Sequence, residues 1–283
     1  MLSAFLPADS SSVIEPLVGP FLKMHRAMEH FDRLVDIVTQ FGDRVTIIPL
    51  EVETTGSKVT WKMQLSEKPP GIIPLLIGDV IHNLRSALDI LICDIAEIRG
   101  FGKDKFDFPF AKDKCNLQKK LRKVHSIIGD DVCEAILDLK PFLGGDELLR
   151  GLHDLDIIDK HRLIVPVYFA QWRRHDMAKR VTDLMRKENP NREIPNIVFI
   201  SDMENTPMPV GEIIICDVGE DPLRYYDEIK SPVLIRFPSV DGMPFQHSFV
   251  LEILAQLFER VHQVLASFAT QFGNADAKAA SMP

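Results

Sequence analysis

Apolar residues recur every three or four positions in several stretches of this chain, a spacing that places them on one face of a helix. One such stretch, residues 73–98, has an apolar face so wide that we expect the helix to be mostly buried. Pro20 and Gly42 suit the beginning and the end of another, residues 20–41. The predicted helices are residues 20–41, 73–98, 116–128, 130–140, 146–159 and 247–272.

Other stretches alternate apolar and polar residues, as half-buried strands do. Residues 44–53 and 58–66 are the clearest pair, joined by residues 54–57 as a hairpin. Further strands are predicted at residues 163–169, 196–201, 212–218 and 232–237. Because these strands do not alternate regularly with helices, the sequence predicts an α+β fold with a helical core, an antiparallel β-sheet and a long C-terminal helix.

The predicted elements follow one another without a linker-like segment. We therefore expect a single α+β domain over residues 1–272, followed by a disordered tail at residues 273–283. The basic stretch at residues 171–195 is interpreted as an exposed insertion.

Composition narrows the classes of function. The net charge of −8 makes duplex DNA an unlikely partner. The four cysteines form no C-x-x-C pair, which is typical of a cytoplasmic protein. No run of apolar residues is long enough to span a membrane, and the N-terminus lacks the features of a signal peptide. No nucleotide-binding glycine motif or serine-hydrolase motif is present, and no cofactor is predicted. A homo-oligomer is compatible with the sequence.

A polar stripe interrupts the apolar helix predicted at residues 73–98. His82, Arg85, Ser86 and Asp89 are spaced so that all four lie on one helix face. Arg85 and Asp89 can pair with each other within the helix, and His82 and Ser86 lie one turn apart. Polar groups on a buried helix must find partners or water.

A second polar cluster follows near the end of the helix predicted at residues 146–159. Carboxylates in this cluster can pair with Arg85, and its cations can pair with Asp89. The sequence therefore predicts a polar seam between residues 78–95 and residues 152–162, and it leaves open which pairs form. The second cluster consists of Asp156, Asp159, Lys160, His161 and Arg162.

These two clusters carry a resemblance. The G-D-x-x-H-N-L-R-S-A-L-D motif at residues 78–89, followed by L-x-x-L-D-x-x-D-K-H-R at residues 152–162, resembles a group of bacterial hypothetical proteins. Residues 108–110 fit the same pattern, and the resemblance covers residues 20–170. It implies no assigned function.

Three functions are compatible with the seam. A ligand-binding, partner-binding or structural role is favoured slightly over catalysis. The second is cleavage of a phosphodiester, as in ribonucleases of the HEPN type, although the R-x(4–6)-H motif of that family is missing and His82 precedes Arg85. The third is a metal-dependent hydrolase that uses histidine and carboxylate ligands, with His25 and Glu29 as further candidates. Whether the chain is an enzyme stays open.

We assign two sets of candidate residues without assigning a metal ligand. The candidate catalytic residues are His82, Arg85, Asp89, Asp159 and His161, and the candidate binding residues are Asn83, Ser86, Asp156, Lys160 and Arg162.

Overall fold

The computed structural model describes residues 17–45, 47–55, 58–101, 106–164, 167–170, 182–183, 186–188, 190–191, 197–200, 211–215 and 233–272. Its helices are α1 (Val18–Arg44), α2 (Ile72–Ile98), α3 (Lys114–Ile128), α4 (Asp130–Leu139), α5 (Glu147–His161) and α6 (Val250–Phe272). Its strands are β1 (Ile47–Thr55), β2 (Lys58–Leu65), β3 (Val167–Ala170), β4 (Ile197–Ile200), β5 (Gly211–Ile215) and β6 (Val233–Arg236). The predicted tail at residues 273–283 and most of residues 171–195 lie outside the described residues.

The α+β fold class predicted from the sequence is wrong. Where side chains are described, helix accounts for 72% of the residues and strand for 4%, with a single strand among them. The described core is helical as well, because nearly all of its buried apolar side chains come from the six helices. Ile235 is the only buried residue that a strand contributes to this part of the core. The chain is therefore mainly helical in the part that the structure describes with its side chains.

The alternating stretches do pair locally, as backbone ladders. Strands β1 and β2 pair antiparallel with a register shift between Pro49 and Glu51, and the order of the four paired strands is β1-β2-β5-β4. Strands β3 and β6 form a separate two-stranded pair. The fold-class prediction gave the sheet a place beside the helices, whereas helix dominates the residues that are described with their side chains. Alternation sets the local backbone conformation, whereas burial against other elements decides what forms the core.

The chain divides into two compact units, and each draws on several segments. The first comprises Met1–Ala27, His82–His153 and Leu257–Pro283, and the second comprises Met28–Ile81 and Asp154–Gln256. The boundaries of the units fall inside α1, α2, α5 and α6. The prediction of one domain over residues 1–272 stays a prediction.

In the first unit, several helices contribute buried apolar side chains, and α2 is one of them. Leu84, Leu88 and Leu91 are at most 1% exposed. The other helices of this unit contribute the buried residues Leu117, Leu121, Val132, Ile136, Leu149, Leu152, Val261, Val264 and Phe268. The second unit has its own buried apolar set, which includes Leu34, Phe41, Ile73, Ile77, Ile81, Leu155, Phe237 and Leu254.

Local chemistry fixes where several helices begin and end. Asp113 precedes α3 and accepts a hydrogen bond from the Asn116 backbone N–H at 2.8 Å, so it is the N-cap of that helix. Gly129 separates α3 from α4 with a φ of 83°, which favours glycine. The C-terminal helix begins at Val250 instead of the predicted His247, because His247 has a φ of 62° and cannot continue a helix.

The Asp113 cap generates a pH-dependent prediction. The Asn116 N–H holds the pKa of the Asp113 carboxyl below its ordinary value of 3.8. A carboxyl with a lowered pKa in the folded state stabilises the fold above its ordinary pKa, and this contribution is lost as the pH falls through the lowered value. We expect Asp113→Ala to lower the melting temperature at pH 7, and the difference from the wild type to shrink below pH 3.8.

Thermal unfolding followed by circular dichroism checks the Asp113 prediction. Asp113→Asn is the control, because asparagine caps helices about as well as aspartate but does not titrate. A D113A protein that melts with the wild type at pH 7 would show that this cap contributes nothing to stability.

Candidate functional site

Arg85 is the most enclosed charged residue of the polar stripe. It lies on α2, is 7% exposed, and forms an ion pair with Asp89 one turn along the same helix. Its guanidinium carbon lies 4.6 Å from the centre of the Phe110 ring, a cation–π distance. Its Nε atom is buried without a hydrogen-bond partner among the described residues. The pairing within α2 that the sequence allowed is therefore the one that forms.

Asp89 joins Arg85 to the segment that follows α2. Its carboxylate accepts a hydrogen bond from the Phe108 backbone N–H at 2.7 Å, in addition to the pair with Arg85. Burial raises the pKa of the Asp89 carboxyl above its ordinary value of 3.8, and this effect outweighs the lowering by Arg85 and Phe108. The raised pKa by itself favours the folded state at low pH, and that contribution is lost as the pH rises through the raised value.

Side chains from several helices of the first unit contact the segment Phe106–Ala111. The Phe110 ring stacks on the His153 imidazole, with centroids 4.7 Å apart and planes within 5° of parallel. Cys93 exchanges hydrogen bonds with the backbone of Phe106 at 3.3 and 3.4 Å. Lys120 donates to the Phe110 carbonyl at 2.6 Å, and Arg150 donates to the Ala111 carbonyl at 2.8 Å. Phe110 thus lies between a guanidinium and an imidazole.

The other two members of the stripe, His82 and Ser86, contact each other. His82 is exposed, and its Nε2 atom lies 3.5 Å from Ser86 Oγ. Asn83 is buried, and its side-chain oxygen accepts a hydrogen bond from Lys23 Nζ of α1 at 3.4 Å. This edge of α2 carries an imidazole and a hydroxyl, and the Lys23 ammonium group binds the adjacent residue Asn83.

The second polar cluster lies in the second unit. Asp156 is 2% exposed and accepts from Lys160 Nζ at 2.5 Å, again one turn apart on one helix. Asp159 is half-buried, and His161 and Arg162 are exposed. Gly78 belongs to this unit too, and a Cβ atom on it would lie 2.4 Å from Asp159 Oδ2. A side chain at this point of the G-D-x-x-H-N motif would have to displace the Asp159 carboxylate, which occupies that space.

Three contributors were not predicted to be site residues: Phe110, His153 and Lys23. The signal for Phe110 was present, because the motif at residues 108–110 accompanies the two polar clusters. His153 could have been found as the residue three positions before Asp156 on the same helix. Lys23 gave no signal, because only the packing of α1 shows that it reaches Asn83.

The described residues contain no group of three histidine, cysteine, aspartate or glutamate side chains that could hold a metal ion. Among the described helices, none combines the length and the apolar character needed to cross a membrane. No protein-family model, curated protein or solved structure matches the chain. The resemblance to bacterial hypothetical proteins therefore stays a prediction, and the function has to be argued from the residues of this chain.

The close approach of Gly78 to Asp159 can be tested by substitution. We expect Gly78→Ala to lower the free energy of unfolding by about 1–3 kcal/mol, because the added methyl group displaces the Asp159 carboxylate. Chemical denaturation measures the change. Gly71→Ala is the matched control, since nothing lies within 4 Å of a Cβ at Gly71.

A double variant assigns the cost of Gly78→Ala to Asp159. In an Asp159→Ala background the methyl group no longer meets a carboxylate, so the same substitution is expected to cost less. Equal costs in the two backgrounds would place the clash elsewhere.

The Arg85–Asp89 pair gives a second stability prediction. Asp89→Ala leaves a buried guanidinium without its counter-charge, so we expect a loss of about 3 kcal/mol in the free energy of unfolding. In an Arg85→Met background no charge is left unpaired, and the same substitution is expected to cost about 1 kcal/mol, chiefly for the hydrogen bond to Phe108. Urea denaturation of the four proteins completes the cycle, and additive losses would mean that the pair is not coupled.

Proposed function

We propose that this chain is a binding protein that recognises an anionic group at the exposed edge of α2, and that the buried half of the polar stripe is structural. The observation that carries the proposal is the state of Arg85. This residue is 7% exposed, is neutralised by Asp89 and lies against Phe110. A phosphate clamp has to present its N–H groups to the ligand. Arg85 instead holds the Phe106–Ala111 segment.

The exposed edge of α2 has the chemistry of an anion site. His82 and Ser86 offer a ring nitrogen and a hydroxyl 3.5 Å apart, and the positively charged Lys23 binds Asn83, the next residue after His82. The Asp89 carboxylate on the same face is already neutralised by Arg85. An anionic group therefore meets hydrogen-bond donors on this edge.

The geometry supports binding over phosphodiester cleavage. Cleavage that used His82 and Arg85 together would need both side chains to reach the same phosphate. Arg85 is buried and paired, whereas His82 is exposed. Of the pair, only His82 is exposed to solvent.

Inorganic phosphate is the probe that tests the proposal. We expect it to shift the His82 imidazole and Ser86 amide resonances in NMR spectra, with saturation at about 1–10 mM as befits a single weak site. His82→Ala/Ser86→Ala should remove the response at the Ser86 position without changing the melting temperature. His125→Ala/Ser126→Ala is the matched control, because it changes an exposed histidine and a nearby serine on α3.

A parallel assay of the same proteins on single-stranded RNA separates binding from catalysis. The binding proposal predicts no cleavage above that of buffer. Cleavage that H82A abolishes while the protein stays folded would establish catalysis in its place. Spectra that phosphate leaves unchanged at both residues would contradict anion binding.

A further inference from the structure

Two consecutive helices of the first unit carry opposite charges. α3 contains Lys114, Lys119, Lys120, Arg122 and Lys123 and has no acidic residue. α4 contains Asp130, Asp131, Glu134 and Asp138 and has no lysine or arginine. Gly129 alone separates the two helices. In a chain with a net charge of −8, this is a sharp local separation of charge.

On each helix the charges lie opposite the buried face. Lys119, Arg122 and Lys123 are spaced i, i+3 and i+4, so they share one face, and all three are exposed. We call them the basic face of α3. Its other side carries the buried residues Leu117, Leu121 and Ile128.

The same holds for α4. Asp131, Glu134 and Asp138 are spaced i, i+3 and i+7, and all three are exposed. We call them the acidic face of α4. The buried residues Val132, Cys133 and Ile136 lie on its other side.

Few of these charges find a partner within the described part of the chain, although Lys119 helps to lower the pKa of the Asp113 carboxyl. Of the six residues of the two faces, only Asp131 forms an ion pair there, with Arg99 at 2.7 Å. Surface helices commonly pair their charges one turn apart, yet a helix with a single sign of charge cannot do so. Asp138 also lies in the last turn of α4, where the helix dipole disfavours a carboxylate. The helix dipole favours Asp131 in the first turn of α4 but not Asp138, so helix stability accounts for only part of this arrangement.

We propose that the basic face of α3 docks on the acidic face of α4 in a second copy of the chain. Charge complementarity selects this occupant, since the chain itself supplies an exposed surface of opposite sign and matching helical form. Around a two-fold axis each contact would occur twice, α3 on α4 and α4 on α3. A polyanion is a poorer occupant, because the acidic face of α4 follows the basic face directly and repels it.

The proposed dimer is expected to be weak and to dissociate when salt is added. Exposed ion pairs contribute little individually, so the association is weak. Ionic screening shortens the reach of such charges to about 3 Å at 1 M salt, so the dimer dissociates as salt is added. The site proposed on α2 takes no part in it.

Sedimentation velocity of the full chain tests the proposal by charge reversal. Lys119→Glu/Arg122→Glu and Glu134→Lys/Asp138→Lys each place like charges across the interface, so each should raise the dimer dissociation constant at least about tenfold at low salt. An equimolar mixture of the two variants restores opposite charges at both contacts. The mixture should therefore form a heterodimer about as strong as the wild-type dimer.

Two further variants control for net charge. Asp32→Lys/Asp36→Lys on α1 alters the charge by the same amount as the α4 reversal, and Arg33→Glu/Lys68→Glu matches the α3 reversal. All four of these side chains are exposed. Both control variants should dimerise like the wild type, and circular dichroism establishes that every variant is folded.

Each other outcome overturns the proposal. A wild-type chain that stays monomeric at about 100 μM and low salt has no such interface, because even a weak association of micromolar strength would then be populated. A dimer that both reversals leave intact, or a mixture that fails to associate, places the interface elsewhere. If K119E/R122E abolishes binding of a single-stranded RNA 20-mer and keeps the dimer, the basic face serves a polyanion instead.

Discussion

A guanidinium that is removed from water has to recover its lost hydration from the protein, and Arg85 imposes this requirement on the first unit. Its counter-charge comes from Asp89 one turn away, and its flat face rests on the Phe110 ring. Asp89 in turn accepts the Phe108 N–H, so the Phe106–Ala111 segment is placed by the same charge. His153 covers the other side of Phe110 and brings α5 into the arrangement. A buried charge that loses its partner is strongly destabilising, which explains why several elements converge on this one side chain.

The second unit also contains an ion pair between residues one turn apart on the same helix. Asp156 is buried and is neutralised by Lys160 on its own helix, just as Arg85 is neutralised by Asp89. Pairs one turn apart hold their geometry through the helix backbone, so each buried charge is satisfied as soon as its helix forms. Gly78 belongs to this second arrangement, since only a residue without a side chain leaves room for the Asp159 carboxylate. The G-D and D-K-H parts of the two motifs are thus linked by direct packing.

The polar stripe on α2 therefore consists of two pairs that differ in burial. Buried Arg85 and half-buried Asp89 pair with each other, whereas exposed His82 contacts half-buried Ser86. The charges of α3 and α4 are different again, because they face solvent and find almost no partner within the described part of the chain. A surface that leaves opposite charges unpaired on neighbouring helices has its electrostatic complement in another copy of itself.

The sequence by itself determined the six helices, the local strand pairing of residues 47–65 and the positions of both polar clusters. These features follow from the periodicity of apolar residues and from spacings within one element, which depend on the chain alone. It also allowed the Arg85–Asp89 and His82–Ser86 contacts, because both join residues one turn apart on α2. An ion pair between Arg85 and a carboxylate of the second cluster was equally compatible with the sequence.

Only the tertiary structure decided the fold class, the burial of Arg85 and the roles of Phe110, His153 and Lys23. Alternation of apolar and polar residues indicates a strand but does not give the balance of helix and strand in the whole fold, so the α+β prediction failed. The contact of Lys23 with Asn83 joins residues 60 positions apart, and that of Phe110 with His153 joins two separate segments. Such contacts arise from the packing of whole elements against one another, which no spacing within a single element encodes.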